Sequence, residues 1–343
     1  MASVLVVGCG SIGKRHLRLL LASPRASTVC ICEPAARARA TVVDEFGLRA
    51  DQAFGDLKEA LTVAKPSAVV LCTPPEMHVP QAIMALQHDC HVLTEKPLSD
   101  GLTGVPQLVA ARNVAERVVM VALCFRFHAG AVRTRELLQQ GKIGELVAVR
   151  AMMGEPFALI RPDDYRTMFV GKRGSTGAFD LIHDIDLACW LASSQRPRIP
   201  TRVRGLAGCY GRTWPNGAPD TAEVLVDFRA SDGSESGGVG GVAASVHLDF
   251  FQSPRRRAVE LLGSEGVLIL EFSSWEKCSV SYCNRTNGAG PAGVCYTLYR
   301  AHIIYVLRAP RTACTGCSHI YAFPPHHKMA RAMHRTSDSS SFP

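Results

Sequence analysis

The sequence predicts an α/β fold that opens with a doubly wound parallel sheet and continues into a second α/β part. Two observations carry the first half: a strand, glycine turn and helix at the very start, and a regular alternation of short apolar runs with helix-length segments through about residue 123. A third, the strand-like alternation that sets in near Leu146, carries the second half.

The opening unit is Ala2 to Leu20. The β-branched run Val4 to Val7 breaks at Gly8-Cys9-Gly10-Ser11-Ile12-Gly13, and Ile12, His16, Leu19 and Leu20 then share one side of a helix. In a dinucleotide site Gly8 makes the tight turn, Gly10 admits a pyrophosphate and Gly13 lets helix and strand pack closely. The N–H groups at Ser11, Ile12 and Gly13 face the phosphates at the positive end of the helix dipole. A second apolar run, Thr28 to Cys32, ends at Glu33, twenty residues after Gly13, where an acid accepts hydrogen bonds from a ribose diol. The cofactor expected is NAD or NADP, with NAD favoured by Glu33 and NADP kept open by Arg37 and Arg39.

The alternation continues in order. A helix runs over 35–46, another ends at Ala64, Ser67 to Leu71 is a strand ending in Cys72-Thr73-Pro74-Pro75, a helix covers Met77 to Gln87, and His91 to Thr94 is a further strand. Ligands of such sheets sit beyond the carboxyl ends of the strands, so Gly8–Gly13, Glu33, Thr73-Pro74 and Glu95-Lys96-Pro97 fall on one rim. Later, Leu146 to Met152, Thr221 to Phe228, Val242 to Phe251, 255–262 and 266–272 read as strands, and Thr176 to Leu191 as an amphipathic helix.

Composition bounds the function. The 343 residues suffice for two ordinary domains, and 47% hydrophobic with 20% charged residues suits a globular protein. The first apolar run is too short for a signal or membrane segment, and a cytoplasmic location is expected. Thirteen cysteines, an odd number lying in apolar runs, suit reduced core thiols. The net charge of +8 does not point to nucleic acid: residues 276–343 hold eight Lys/Arg and two Asp/Glu, so most of the excess lies in that tail.

Taken together, the Gly8-x-Gly-x-x-Gly turn, Cys72-Thr-Pro-Pro, Glu95-Lys96-Pro97, the strand ending Cys124-Phe-Arg126-Phe-His128, and Asp180-Leu-Ile-His183-Asp184-Ile-Asp186 resemble the Gfo/Idh/MocA oxidoreductases over residues 2–275. The resemblance implies a Rossmann domain at 1–123. It implies at 124–276 a substrate-binding α/β domain with a large, mostly antiparallel sheet whose open face pairs with another subunit. The phrases Val246-His-Leu-Asp-Phe-Phe-Gln and Gly263-Ser-Glu-Gly266 look like sugar-active members. Residues 277–343 depart from the family pattern and read as a poorly ordered tail. In it Cys314-x-x-Cys317 with His319 lacks the partner pair of a zinc site, so no metal is expected.

The expected reaction is hydride transfer between nicotinamide and a secondary alcohol or ketone of a sugar, polyol or related cyclic alcohol. Such chemistry needs a base for the hydroxyl proton and a group that stabilises the oxygen. Lys96, beside the cofactor rim, suits the oxygen, and Pro97 restricts the backbone next to it. His183 suits the proton, with Asp180 three residues earlier on the same helix face to orient the ring. Asp184 and Asp186 read as structural or helix-surface acids. Thr73 and Pro74 would line the nicotinamide side and Glu95 would meet its ribose. Arg126 and His128 would bind substrate hydroxyls or a carboxylate, or else make an interdomain salt bridge. Tyr165 and Arg166 resemble a substrate-side segment of sugar-active members or form a solvated loop. The rival reading is a dinucleotide-binding sensor or inactive paralogue without turnover. A second is imine reduction or aryl diol oxidation on the same scaffold.

Overall fold

A computed structural model describes residues 1–162, 177–211, 218–234, 240–274, 277–284 and 296–299. The first sheet is assembled from β1 (Ala2–Val7), β2 (Ala26–Cys32), β3 (Ala53–Phe54), β4 (Ala68–Leu71), β5 (His91–Thr94) and β6 (Val119–Val121). Between them run α1 (Ser11–Leu21), α2 (Ala36–Phe46), α3 (Leu57–Ala64), α4 (Pro75–Gln87) and α5 (Val105–Ala115). The strand order is β3-β2-β1-β4-β5-β6 and every pairing is parallel.

The composition of β1 and β4 explains this sheet. Both are apolar at every position of their cores, because helices cover both faces. Leu5, Val7, Val69 and Leu71 face one cluster of buried residues and Val4, Val6, Ile31 and Val70 face the other. The helices begin and end where local chemistry allows. Asp56 accepts a hydrogen bond from the Glu59 N–H at the start of α3, and Gly47, at φ 62°, closes α2 in the left-handed region. Strand order reverses between β1 and β4, which opens a crevice at their carboxyl ends.

After a 3-10 turn at Cys124–Phe127 come α6 (Ala129–Gln139), β7 (Leu146–Gly154), α7 (Phe157–Ile160), a second 3-10 turn at Gly177–Leu181 and α8 (Ile182–Ala192). The remaining strands are β8 (Arg198–Gly208), β9 (Thr221–Ala230), β10 (Val242–Asp249), β11 (Arg256–Gly263), β12 (Gly266–Phe272), β13 (Lys277–Asn284) and β14 (Tyr296–Tyr299). They form an eight-stranded sheet in the order β14-β13-β12-β11-β7-β10-β9-β8, antiparallel except between β7 and β10. Alternate residues such as Val149, Ala151, Val246, Leu248, Leu261 and Leu270 pack against Leu137, Leu187 and Leu191 of the helices. The opposite face carries Arg150, Glu260 and Glu271 among exposed Val147 and Leu225.

Three expectations change. The segment Cys124–His128 is a 3-10 turn leading into α6, where the sequence reads as the end of a strand. The helix expected from Thr176 begins only at Ile182, with Asp180 in the preceding 3-10 turn. The sheet also runs past residue 276 into the stretch read as a tail. In β13 the side chains of Cys278 and Val280 are buried opposite Phe272 and Leu270, and the short alternation of Cys278, Val280 and Tyr282 with Ser279 and Ser281 becomes a strand on pairing with β12. Among the described residues no helix is long and apolar enough to cross a membrane.

Because Val280 is fully buried in this sheet, Val280→Asp is expected to destabilise the fold by more than about 3 kcal/mol through a lone buried carboxylate. Chemical denaturation reads this directly. A midpoint equal to that of the wild type would place β13 outside the cooperative unit.

Candidate active site

The rim above β1 is shaped by contacts that leave no room for side chains. Gly8 sits at φ 84°, and a Cβ there would lie 2.9 Å from the Cys72 carbonyl oxygen. A Cβ on Gly13 would lie 1.9 Å from the Gly8 carbonyl oxygen, so α1 packs directly on the turn. Gly10 faces open space. α1 has no acidic residue in its first turn and no side-chain cap, and its first intrahelical bond is from the Lys14 N–H to the Gly10 carbonyl. The earlier N–H groups at Ser11, Ile12 and Gly13 therefore form an uncapped positive helix end suited to a pyrophosphate.

Glu33 follows β2, and its two carboxylate oxygens accept hydrogen bonds from the N–H groups of Cys9 (3.0 Å) and Ala35 (3.1 Å). The carboxylate is thus fixed beside the glycine turn, in the place where a ribose diol is held. Arg39 is turned back on the chain, donating to the carbonyl oxygens of Glu33 and Pro34, and Arg37 lies exposed on α2. The residues present fit NAD: an uncapped helix end, a glycine cradle and a fixed acid. Among the described residues no cluster of three or more His, Cys, Asp or Glu is placed to hold a metal ion.

Thr73 and Pro74 leave β4 on the same rim. The Thr73 hydroxyl donates to Gln81 Oε1 at 2.6 Å, and Pro74 caps α4. Lys96 follows β5, in a cis Lys96–Pro97 peptide, and reaches across to the second sheet's elements. Its ammonium donates to the Asp180 carboxylate at 2.7 Å and to the Asp180 carbonyl at 2.9 Å.

The role expected for Asp180 therefore changes. Asp180 lies in the 3-10 turn that runs into α8, and its carboxylate is taken by the Lys96 ammonium, with no hydrogen bond to His183 Nδ1 among the described residues. The carboxylate orients Lys96, not His183. His183, on the first turn of α8, is instead backed by the Phe125 ring at 5.1 Å. Its Nδ1 is buried without a hydrogen-bond partner among the described residues, so the accessible side of this half-buried ring is Nε2. Burial, reinforced by the positive charges of Lys96 and Arg257, pushes the imidazole down to about 3, leaving it neutral and able to accept a proton.

Beneath His183 lies a charged layer that the sequence does not reveal. Arg257 of β11 ion-pairs with Asp184 at 3.0 Å, both almost wholly buried, and its guanidinium lies 4.2 Å over the Phe125 ring. Burial raises the Asp184 carboxyl to about 6 even beside that arginine. Glu155 and Arg255 pair nearby at 3.3 Å. An arginine on the inward face of an otherwise apolar strand is the available signal, but the partner lies 73 residues away.

Two residues expected to bind substrate stand elsewhere. Arg126 is engaged with Asp186 through both ends of its guanidinium, Nε to Oδ2 at 2.8 Å. Asp186 on α8 takes two of the guanidinium's five N–H donors. His128 is buried against Phe125 and Phe272, where its Nδ1 accepts the Gly130 N–H and caps α6. Tyr165 and Arg166 lie outside the described residues.

The neutral His183 generates a pH dependence. An unfolded chain protonates this ring near 6.5, whereas the folded ring stays neutral down to about 3. The unfolded state binds more protons in that window. Stability is therefore complete above about 6.5 and falls as pH drops toward 3. His183→Gln should flatten this part of a stability curve measured by denaturant titration from neutral pH downward. An unchanged slope would contradict the buried neutral ring.

Comparison with known proteins places this geometry in a family. Residues 2–123 match the oxidoreductase family with an NAD-binding Rossmann fold, and residues 131–269 match the Gfo/Idh/MocA C-terminal domain. Inositol 2-dehydrogenase of Corynebacterium glutamicum is 28% identical over 193 residues, which are 55% of this chain and 54% of that one. The chain spans about half the length of the curated relatives it matches. Among solved structures, the WlbA dehydrogenase from Bordetella pertussis, in complex with NADH and UDP-GlcNAcA, superposes with a TM-score of 0.67 at 24% identity. That match covers 80% of this chain and 75% of the other. The inositol dehydrogenase homologue from Azotobacter vinelandii, complexed with NAD+, gives 0.69 at 17% identity, covering 87% and 76%. With both halves of the family matched over two sheets of the corresponding architecture, the chain belongs to the Gfo/Idh/MocA oxidoreductases.

Proposed function

We propose that the protein is an NAD-dependent dehydrogenase acting on a secondary alcohol carbon of a sugar, polyol or related cyclic alcohol. The observation that carries this reading is Lys96, on the carboxyl rim of the first sheet, bonded to Asp180 three residues before His183, whose ring feels the lysine's charge. The names of the relatives, inositol 2-dehydrogenase and a sugar-nucleotide complex of WlbA, support the substrate class.

Gly8, Gly10, Ser11, Ile12, Gly13 and Glu33 would hold the dinucleotide, and Thr73, Pro74 and Glu95 would border its nicotinamide half. When bound, NAD supplies the hydride acceptor or donor. His183 takes the hydroxyl proton at Nε2, the accessible nitrogen of a ring already neutral. Lys96, its ammonium paired with Asp180, stabilises the oxygen as negative charge develops there. Asp180 aims that ammonium and offsets its charge. Arg257, Asp184 and Phe125 hold the His183 ring in place from below.

The open face of the second sheet, with Val147 and Leu225 exposed among charged residues, suits association with a second copy of the chain. The ten described cysteines are all free thiols, which suits a reducing compartment such as the cytoplasm.

Turnover is read from reduced-cofactor absorbance with NAD against inositols, hexoses, uronic and acetamido sugars. Lys96→Ala and His183→Ala are each expected to lower kcat by about 100-fold or more while NAD binding stays near that of the wild type. Glu33→Ala is expected to weaken NAD binding by about tenfold through loss of a charge-assisted contact, read by fluorescence titration. Unchanged rates in both the lysine and histidine variants would overturn the assignment.

A further inference from the structure

Two buried histidines sit at the base of the Glu95-Lys96-Pro97 segment, and the chemistry assigned above uses neither. β5 ends at Thr94, so this segment lies beyond the sheet ladder and its buried polar groups need other partners. The Glu95 N–H donates to the Leu71 carbonyl at 2.8 Å. The Lys96 N–H donates to Glu95 Oε2 at 3.2 Å, and the other oxygen of that carboxylate lies 2.7 Å from Nε2 of His16 on α1. The Pro97 carbonyl meets Nδ1 of His78 at 2.9 Å, and Nε2 of the same ring meets the Thr73 carbonyl at 2.8 Å. His78 is 1% exposed and stands on the first turn of α4.

Both atoms facing His78 are carbonyl oxygens, which only accept. A ring with hydrogen on both nitrogens fills both contacts, and a neutral ring fills one. The side chain thus ties the loop that follows β4 to the loop that follows β5. These are the loops that carry Thr73-Pro74 and Lys96. A lysine has a long flexible stem, so where its ammonium can reach depends on where its backbone is held. The geometry points to His78 as the positioning residue that fixes Lys96 relative to the Thr73–Pro74 loop, while His16 and Glu95 anchor the other end of the segment to α1. This rests on the reading of Lys96 as the oxygen-stabilising group. It adds a mechanical link between the helix ends that would grip the cofactor and the lysine that would meet the substrate.

The test is site-resolved acetylation of lysines by a succinimidyl ester, read by mass spectrometry on the full chain in wild type, His78→Phe and His78→Gln. Lys58, exposed on α3, serves as reference, and Lys14, paired with Glu45, reports on general loosening. His78→Phe keeps a ring without donors, and Lys96 acetylation relative to Lys58 is expected to rise several-fold with Lys14 unchanged. His78→Gln retains an amide donor and is expected to fall between the two. In the same variants kcat should drop while NAD affinity holds. A folded variant whose Lys96 reacts at the wild-type rate overturns the proposal, as does a parallel rise at Lys14. If His78→Phe does not fold, His78→Gln decides by the same criterion. Labelling needs no turnover, so a wild type inactive on every alcohol would overturn the dehydrogenase reading and leave this result standing.

Discussion

The ion pair between Lys96 and Asp180 is the contact on which the site depends. Each residue belongs to a different sheet system: Lys96 follows β5, and Asp180 lies in the 3-10 turn before α8. The pair is only partly shielded, with side chains 21% and 34% exposed, so its contribution to stability is small. Its importance is geometric. A second bond from the ammonium to the Asp180 carbonyl makes the lysine read backbone position as well as charge. The turn that leads into His183 is thereby tied to the segment after β5.

Helix α8 and the turn before it are placed by a series of such pairs. Asp180 meets Lys96, Asp184 meets Arg257 and Asp186 meets Arg126, each cation arriving from a separate element. Buried ion pairs rarely add net stability, because desolvation offsets most of the attraction, but breaking one leaves a costly lone charge. Three such constraints on one short segment restrict how the helix can slide or rotate. The cost of this arrangement is visible in Asp184, whose carboxyl rises to about 6 despite its arginine, and in His183, whose ring is driven neutral. Neutrality leaves a ring nitrogen free to accept a proton, while the same surroundings make the imidazolium costly to form. It also exposes the fold to acid.

Contacts over short sequence distance were legible and contacts over long distance were not. The Gly8–Gly13 turn, Glu33 and the alternation of strands through β5 announce the first sheet, because a parallel strand buried on both faces must be apolar throughout. The second sheet was legible as separate strands, and its antiparallel character followed only from resemblance. Asp180 shows how a local rule misleads. Its three-residue spacing from His183 suggests a contact with the ring, yet its carboxylate is bonded by Lys96, which arrives from beyond β5. Arg126 and His128 read either as substrate ligands or as an interdomain salt bridge, because they follow a strand-like run where the family's substrate cleft begins. Asp186 and the start of α6 had claimed them first.

The sequence by itself determined the fold class and the glycine cradle with its acid, and it singled out Lys96 and His183 as candidates. These depend on residue type, period and spacing along the chain, which are local properties. Tertiary structure alone decided which acid meets which base. It paired Lys96 with Asp180 across 84 residues, set Arg257 under His183, and placed His78 between two loop carbonyls. It also drew β13 from the stretch read as a tail into the sheet. Hydrogen bonds and ion pairs of this kind leave no period in the sequence, since their partners are brought together only when both sheets have formed.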